Sequence, residues 1–192
     1  MGTWKFDPLH TQVEFSAKHF GMMTVRGNFQ EVTASGEIYP DDPSKSKVEA
    51  TINTASIKTH NEQRDNDLRS SYFLEIDKYP TMKFKSTDIK HVGGDNFKVT
   101  GDLTIKATTK PVTLDVVRLG ELNDAEMMGH RISYQATTRI NRKDFGMNFD
   151  ALRDGRLVVS NEIDINIEGE IIEAADAAAE TKEEVGAAAK KS

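Results

Sequence analysis

The stretch FKVTGDLTIKATTKPVTLDVV, residues 97–117, constrains this chain more than any other. Phe97, Val99, Gly101, Leu103 and Ile105 fall on one parity. Lys98, Thr100, Asp102, Thr104 and Lys106 fall on the other. After A-T-T-K-P, Val112, Leu114 and Val116 resume the apolar parity. A period of two means strand, because successive side chains leave a pleated backbone on opposite faces. The second strand is predicted to start at Pro111, a position that needs no ladder N–H. Strands joined this closely pair antiparallel, giving a sheet with one dry and one wet face. The dry face must be covered, and the rest of the chain offers more strand for that and very little helix.

The same alternation recurs along the sequence. Trp4 and Phe6 share a parity before Asp7-Pro8 breaks the run; Val13, Phe15, Ala17 and His19 then alternate with polar residues. F-G-M-M at 20–23 reads as a turn, followed by Val25, Gly27 and Phe29 on one face, and by a strand over Val32 to Tyr39. P-D-D-P-S-K-S-K at 40–47 is a loop by composition. Val48, Ala50 and Ile52 alternate, as do Met82, Phe84 and Ser86, then Ile132 to Ile140, then Ile163, Ile165 and Ile167. Residues 118–130 read as a polar connection. Residues 60–76 break the period: Asn61 is placed to cap a helix, and Leu68, Tyr72 and Phe73 supply an apolar side. This segment is expected to cap one end of the sheet and to gate entry there. Eight or nine amphipathic strands in one domain imply a sandwich or a closed barrel. At about eight strands a barrel interior is either filled by side chains or holds one small ligand.

Composition narrows the function. At 192 residues the chain is one domain with a sizeable core. Net charge is -6, with both signs mixed along the sequence and no basic patch, which argues against a nucleic-acid partner. Cysteine is absent, so no disulfide framework or thiolate zinc is available. The five histidines show no i, i+4 pair, so a metal site would have to be assembled purely in three dimensions, and none is expected. There is no G-x-S-x-G and no phosphate-cradling glycine loop. The opening MGTWKFDPLH carries no secretory pattern, so the expected location is cytoplasmic as given, or periplasmic if this is a processed form. Residues 173–192 are Ala-rich with interspersed charge and are expected to be a disordered tail after a domain spanning 1–172.

Three stretches match a known family. They are W-K-F-D-P-L-H-T-Q-V-E-F-S-A-K-H-F followed by V-R-G-N-F, between Trp4 and Phe29; R-D-N-D-L-R-S-S-Y-F-L-E-I-D-K-Y-P-T-M-K-F, Arg64 to Phe84; and V-T-G-D-L-T-I-K-A-T-T-K-P-V-T-L-D-V at 99–116 with I-N-R-K-D-F-G-M at 140–147. Together they resemble the YceI-like, polyisoprenoid-binding family of bacterial proteins. The resemblance implies an all-β fold: an extended eight-stranded antiparallel lipocalin-like barrel with a short helical cap. It implies a binding protein, not an enzyme, whose apolar tunnel sequesters a long-chain amphiphile such as a polyisoprenoid, an isoprenoid quinone or a fatty-chain lipid. It implies no cofactor beyond that bound lipid and no catalytic set to carry over. Homodimers and transient membrane contact are further expectations.

The residues expected to meet the ligand follow from the inward parity and the cap. Phe6, Val13, Phe15, Val25 and Phe29 come from the first strands; Ile52, Met82, Phe84, Leu103, Ile105 and Ile140 from the middle and later ones. Leu68 and Phe73 belong to the cap, Phe20 to the turn at 20–23, and Phe145 to the loop at 141–149. His19 shares the parity of Phe15 and, with His10, reads either as a satisfied core or rim histidine or as a contact to a polar headgroup. An enzyme acting on a lipid headgroup, with one of these histidines as base, is the alternative function. Arg64, Asp65 and Arg69 read as pins holding the cap; alternatively Arg64 or Arg69 meets an anionic headgroup at the tunnel mouth. Arg142, Lys143 and Asp144 read as solvated loop charge or as headgroup contacts. Ala17, Gly27, Ala50, Ser86, Gly101 and Ala136 on the inward parity favour a hollow interior over a packed one.

Overall fold

The alternation over 97–117 becomes two long antiparallel strands in the computed structural model, which describes residues 4–124 and 128–173. In chain order the elements are β1 (Trp4–Phe6), β2 (Gln12–His19), β3 (Met23–Phe29), β4 (Val32–Glu37), β5 (Lys47–Asn53), β6 (Ile57–Lys58), α1 (Glu62–Arg69), β7 (Thr81–Gly93), β8 (Asn96–Ile105), β9 (Thr108–Asp124), β10 (Gly129–Asn141), β11 (Leu152–Arg153), β12 (Arg156–Leu157) and β13 (Val159–Glu173). Across β8 and β9, Phe97 faces Val116, Val99 faces Leu114 and Gly101 faces Val112, so the apolar residues share one side. On the other side Lys98 meets Asp115 at 2.6 Å, and Thr100–Thr113 and Thr104–Thr109 hydroxyls pair at 3.0 and 2.8 Å. Such cross-strand pairs hold the register of a sheet whose outer face is wet. β9 begins at Thr108, ahead of the predicted Pro111, because Lys106 turns the chain with a positive φ of 55°. Pro111 is tolerated there, since β9 pairs with β10 only from Asp115 onward.

The main sheet has eleven strands, ordered β4-β5-β7-β8-β9-β10-β13-β2-β3-β6 with β1 beside β13, all pairs antiparallel. It curls strongly into a half-barrel, the lipocalin-like form expected. Eleven ladder strands make eight barrel staves, because β1 with β2, β3 with β4, and β5 with β6 each form one line. β1 and β2 run the same way along β13 and are one stave interrupted at residues 7–11. β3 and β4 also run the same way, with only Gln30 and Glu31 between them. Their combined length pairs with β2 at its start and with β6 and β5 at its end. Gln30 N–H donates to Ser56 O and Asn53 N–H to Glu31 O across the kink. The two ends of the ladder thus meet in one continuous segment, 23–37. Register shifts at Ser133/Tyr134 and Ser86/Asp88 add the local twist that curling needs.

Residues 118–130 depart from their reading as a connection: β9 continues to Asp124 and β10 returns from Gly129, with Leu122 facing Arg131. Most of β9 beyond Arg118 is exposed, so no dry face imposes a period of two on its sequence. The predicted cap is present as α1. Asn61 caps it, Oδ1 accepting from Arg64 N–H at 2.9 Å. Buried Asp65 accepts from the Thr59 amide at 2.8 Å and from its hydroxyl, Arg64 donates to Thr59 Oγ1 and O, and Arg69 donates to Ala55 O and Ile57 O. These charges pin the cap to β6. Tyr72 differs from its expected apolar role: it is 65% exposed, because the chain after Arg69 leaves the helix in successive turns. The tail predicted at 173–192 lies, apart from Glu173, outside the described residues.

Two buried clusters flank the middle of the half-barrel. At the cap end Ile57, Leu74, Met82, Ile105, Ile140, Phe145 and Met147 pack together. At the opposite end Trp4, Ile132 and Ile171 pack with Phe6, Ile38 and Tyr134.

Candidate functional site

Between those clusters the inner face encloses a cavity of about 370 Å³, within the usual range of ligand pockets. Every barrel stave contributes. At mid-height Ala136 faces Val116 on one side and Ile167 on the other; Ile167 faces Val13, and Val13 faces Phe29. Ala34, Ala50 and Phe84 continue this band through β4, β5 and β7. Alternating strands in one curled sheet are sufficient to make such a lining, since each stave turns every second side chain inward.

Of the residues expected from the sequence, Phe6, Val13, Phe15, Phe29, Ile52 and Leu68 line the cavity. So do Phe73, Met82, Phe84, Leu103, Ile105 and Ile140. Five expected residues lie elsewhere. His10 sits on the 7–11 interruption, with Nδ1 2.7 Å from Asp7 Oδ2, held outward on a buried carboxylate. His19 closes β2, where the ladder to β13 shifts register; its Nδ1 lies 2.9 Å from Val158 O and its ring against Phe20. Phe20 takes the turn itself, with φ 53°. Val25 faces Ala17 near that turn and does not reach the cavity. Phe145 is 2% exposed within the cap-end cluster, a plug and not a wall.

The small residues divide. Ala17, Ala50 and Ala136 border the cavity. Gly27 and Gly101 do not open space. A Cβ on Gly27 would lie 2.5 Å from the Phe15 ring, and one on Gly101 2.5 Å from both the Phe84 ring and Lys85 O. The glycines are there so that a neighbouring aromatic ring can lie flat across the strand.

Arg142 is the largest departure from the reading of loop charge. It is 1% exposed, and its guanidinium donates to the carbonyls of Met147, Phe149, Val159 and Ser160 and to Asn161 Oδ1. Burial pushes its pKa down, against the nearby Asp150 carboxylate. With its donors turned to backbone, it organises the 142–160 loops that close the cap end.

The two ends of the cavity differ. At the cap end the wall includes the buried Phe73, Leu74, Arg142 and Met147. At the other end it includes Ile38, Tyr39, Pro40, Pro43 and Ser46 of the loop between β4 and β5, and Tyr39 is exposed. The exposed Tyr39 brings the cavity wall to the surface at this loop, the mouth end, opposite the cap. Sequence reading left Tyr39 and Tyr134 out of the site; for Tyr134 the signal was available, since it shares the inward parity of Ile132 and Ala136.

Of the buried charged side chains among the described residues, Asp7 and Arg131 lie at the mouth end and Asp65 and Arg142 at the cap end. Asp7 accepts from Leu9 N–H at 2.8 Å and from Arg131 at 3.1 Å. Burial would raise its pKa, but hydrogen bonds to His10, Leu9 and Arg131 hold it below the usual value. Asp7, His10 and Glu170 have donor atoms within 4.8 Å of one another. Arg131 lies on both carboxylates, 3.1 Å from Asp7 and 3.4 Å from Glu170, and so supplies the positive charge a cation would otherwise bring. His130 lies edge-on to Trp4, with Nε2 2.6 Å from Glu121 and Nδ1 3.1 Å from Glu173. Burial lowers its pKa, but the two carboxylates outweigh that and raise it above the ordinary value.

Comparison with known proteins agrees with this architecture. The profile of the YceI-like domain matches residues 4–171. A UPF0312 protein of Serratia proteamaculans is 40% identical over 156 residues, covering 80% of each chain. The crystal structure of Burkholderia cenocepacia BcnA superposes with a TM-score of 0.76 at 22% identity, over 86% of this chain and 99% of that one. A polyisoprenoid binding domain from Saccharophagus degradans superposes with a TM-score of 0.62 at 15% identity, over 90% and 99%. The two structural likenesses show the fold. Together with the profile and the sequence relative, they place this chain in the YceI-like family.

Proposed function

We propose that this protein is a non-catalytic carrier that holds a long-chain amphiphile, a polyisoprenoid, an isoprenoid quinone or a fatty-chain lipid, with its chain in the barrel cavity. The observation that carries the reading is the cavity itself: about 370 Å³ enclosed by apolar side chains from every stave. Each methylene buried there contributes about 0.8 kcal/mol, so a fitting chain is held by area alone. The polyisoprenoid-binding neighbour of the same fold supports a lipid ligand. The enzyme alternative required His10 or His19 as a base on the tunnel, and both side chains lie outside its walls. Transient membrane contact and pairing with a second copy belong to this proposal as the routes by which an insoluble ligand is loaded. The test is native mass spectrometry of the gently purified protein, followed by mass analysis of its organic extract. A co-purifying long-chain lipid at fixed stoichiometry is expected. An empty protein that also fails to take up added long-chain lipid would overturn the proposal.

A further inference from the structure

Of the seven polar side chains on the cavity wall, Glu14 and Tyr39 are exposed and four others are committed to protein partners. Thr11 donates to Asp7 O at 2.6 Å, Thr138 to Thr113 O at 2.9 Å, and Ser46 Oγ accepts from Tyr39 N–H at 2.9 Å. Arg142 is turned to backbone carbonyls. Tyr134 differs. Its side chain lines the cavity and packs against the Trp4, Ile132 and Ile171 cluster, edge-on to Phe97. Among the described residues its hydroxyl has no hydrogen-bond partner, and none of their side-chain N or O atoms is both sealed from solvent and unpartnered. The Tyr134 oxygen is therefore accessible, on a side chain that lines the cavity and packs at its mouth end. Gly169, its cross-strand neighbour on β13, has the Thr11 side chain against it, where a Cβ would lie 3.3 Å from Thr11 Oγ1.

The charge around this hydroxyl selects what it can meet. Its cross-strand neighbour on β9 is Arg118, whose guanidinium lies 3.0 Å from Asp95 and 3.2 Å from Glu121. Glu121 in turn reaches His130, which also meets Glu173. One arginine and one histidine thus face three carboxylates, so the charge beside this hydroxyl, among the described residues, leans negative. An alkyl phosphate placed there would be repelled by like charge. A neutral oxygen would accept from Tyr134 without that penalty. Burial also pushes the Tyr134 pKa up, which keeps the hydroxyl protonated as a donor.

Resting on the carrier reading, we infer that Tyr134 is the headgroup-recognition residue of the tunnel: its hydroxyl donates to a neutral acceptor oxygen, such as a ketone, amide or quinone carbonyl, and the site discriminates against phosphate headgroups. The chain then runs from the mouth toward the cap.

The test is competition against N-phenyl-1-naphthylamine fluorescence with two chain-matched probes, 2-dodecanone and dodecyl phosphate, on the whole protein and its Tyr134→Phe variant. The ketone is expected to bind at least about tenfold tighter than the phosphate. The variant is expected to lose about three- to tenfold for the ketone, the range of one hydrogen bond, with little change for the phosphate. Phenylalanine keeps the ring in place, and a thermal melt checks the fold. A second measurement needs no variant: the infrared carbonyl band of bound 2-dodecanone should move to lower frequency than in alkane. Phosphate bound as tightly as ketone, an unchanged ketone affinity in Tyr134→Phe, or an unshifted carbonyl band overturns this inference alone. A wild-type protein that takes up neither probe nor fluorophore overturns the carrier reading, and this inference with it.

Discussion

Emptying the tunnel of its ligand is expected to weaken the fold by several kcal/mol. A dry void costs about 24 cal/mol per Å³ where the surroundings cannot collapse, so about 370 Å³ carries a ceiling of about 9 kcal/mol. That is comparable to the whole stability of a typical domain, about 5–15 kcal/mol. Water entering past Tyr39, or inward motion of the 38–46 loop, reduces the penalty below the ceiling without removing it. For a chain of this size each kcal/mol is worth about 2–4 °C of Tm, so a drop of about 10 °C or more is expected. The assay is a pair of calorimetric melts, before and after removal of lipid on a hydrophobic resin, with mass spectrometry confirming that the ligand has gone. The emptied protein carrying Ala136→Trp supplies the control. Ala136 projects from mid-height of the wall, so the indole should fill part of the void, raise the Tm of the emptied protein and block reloading. Overpacking a solid interior would instead cost about 1–3 kcal/mol. A verified removal that leaves Tm within about 2 °C, with Ala136→Trp destabilising, would refute the reasoning that the interior is a void.

Four further outcomes are expected. Arg142→Met leaves four backbone carbonyls, two of them at the start of β13, without their donor and should destabilise by about 3–5 kcal/mol in a urea melt; a loss under 1 kcal/mol would show that the 142–160 segment holds itself. His130 has its pKa raised by Glu121 and Glu173 against burial, so its stabilising contribution is complete below about pH 6.5, the unfolded value, and fades as pH rises through the higher folded value. The stability gap between wild type and His130→Gln should therefore be larger at pH 5.5 than at pH 8.5, and a gap independent of pH would contradict the assignment. Gly101→Ala places a Cβ 2.5 Å from Lys85 O, a backbone atom that cannot swing aside, and should cost about 1–3 kcal/mol while driving the Phe84 ring toward the cavity, read as a loss of both Tm and lipid content. Removing residues 174–192, which hold one large apolar side chain, Val185, should leave Tm within a few degrees; a larger fall would show that this segment packs on the barrel.

Much of this architecture is present in the primary structure, because a period of two is a local property. Phe97 to Ile105 and Val112 to Val116 name their strands, their shared face and their antiparallel pairing without reference to any distant residue. Asn61 names the start of α1 for the same reason: a cap acts over three residues. The inward parity also delivered most of the cavity wall, and the family motifs delivered the barrel. Tertiary structure decided whatever depends on where a strand stops or what lies across from it. His19 has the parity of Phe15, yet β2 ends there and its ring meets Val158 O. Gly27 and Gly101 share the parity of a hollow wall, yet a phenylalanine from the neighbouring strand covers each. Arg142 reads as loop charge until the fold turns four carbonyls toward it. Tyr134 is one aromatic among inward residues; only the curled sheet leaves its hydroxyl without a protein partner and sets Arg118 beside it in a nest of carboxylates. Side-chain direction follows from the local backbone, whereas the occupancy of the space it points into is set by residues remote in sequence.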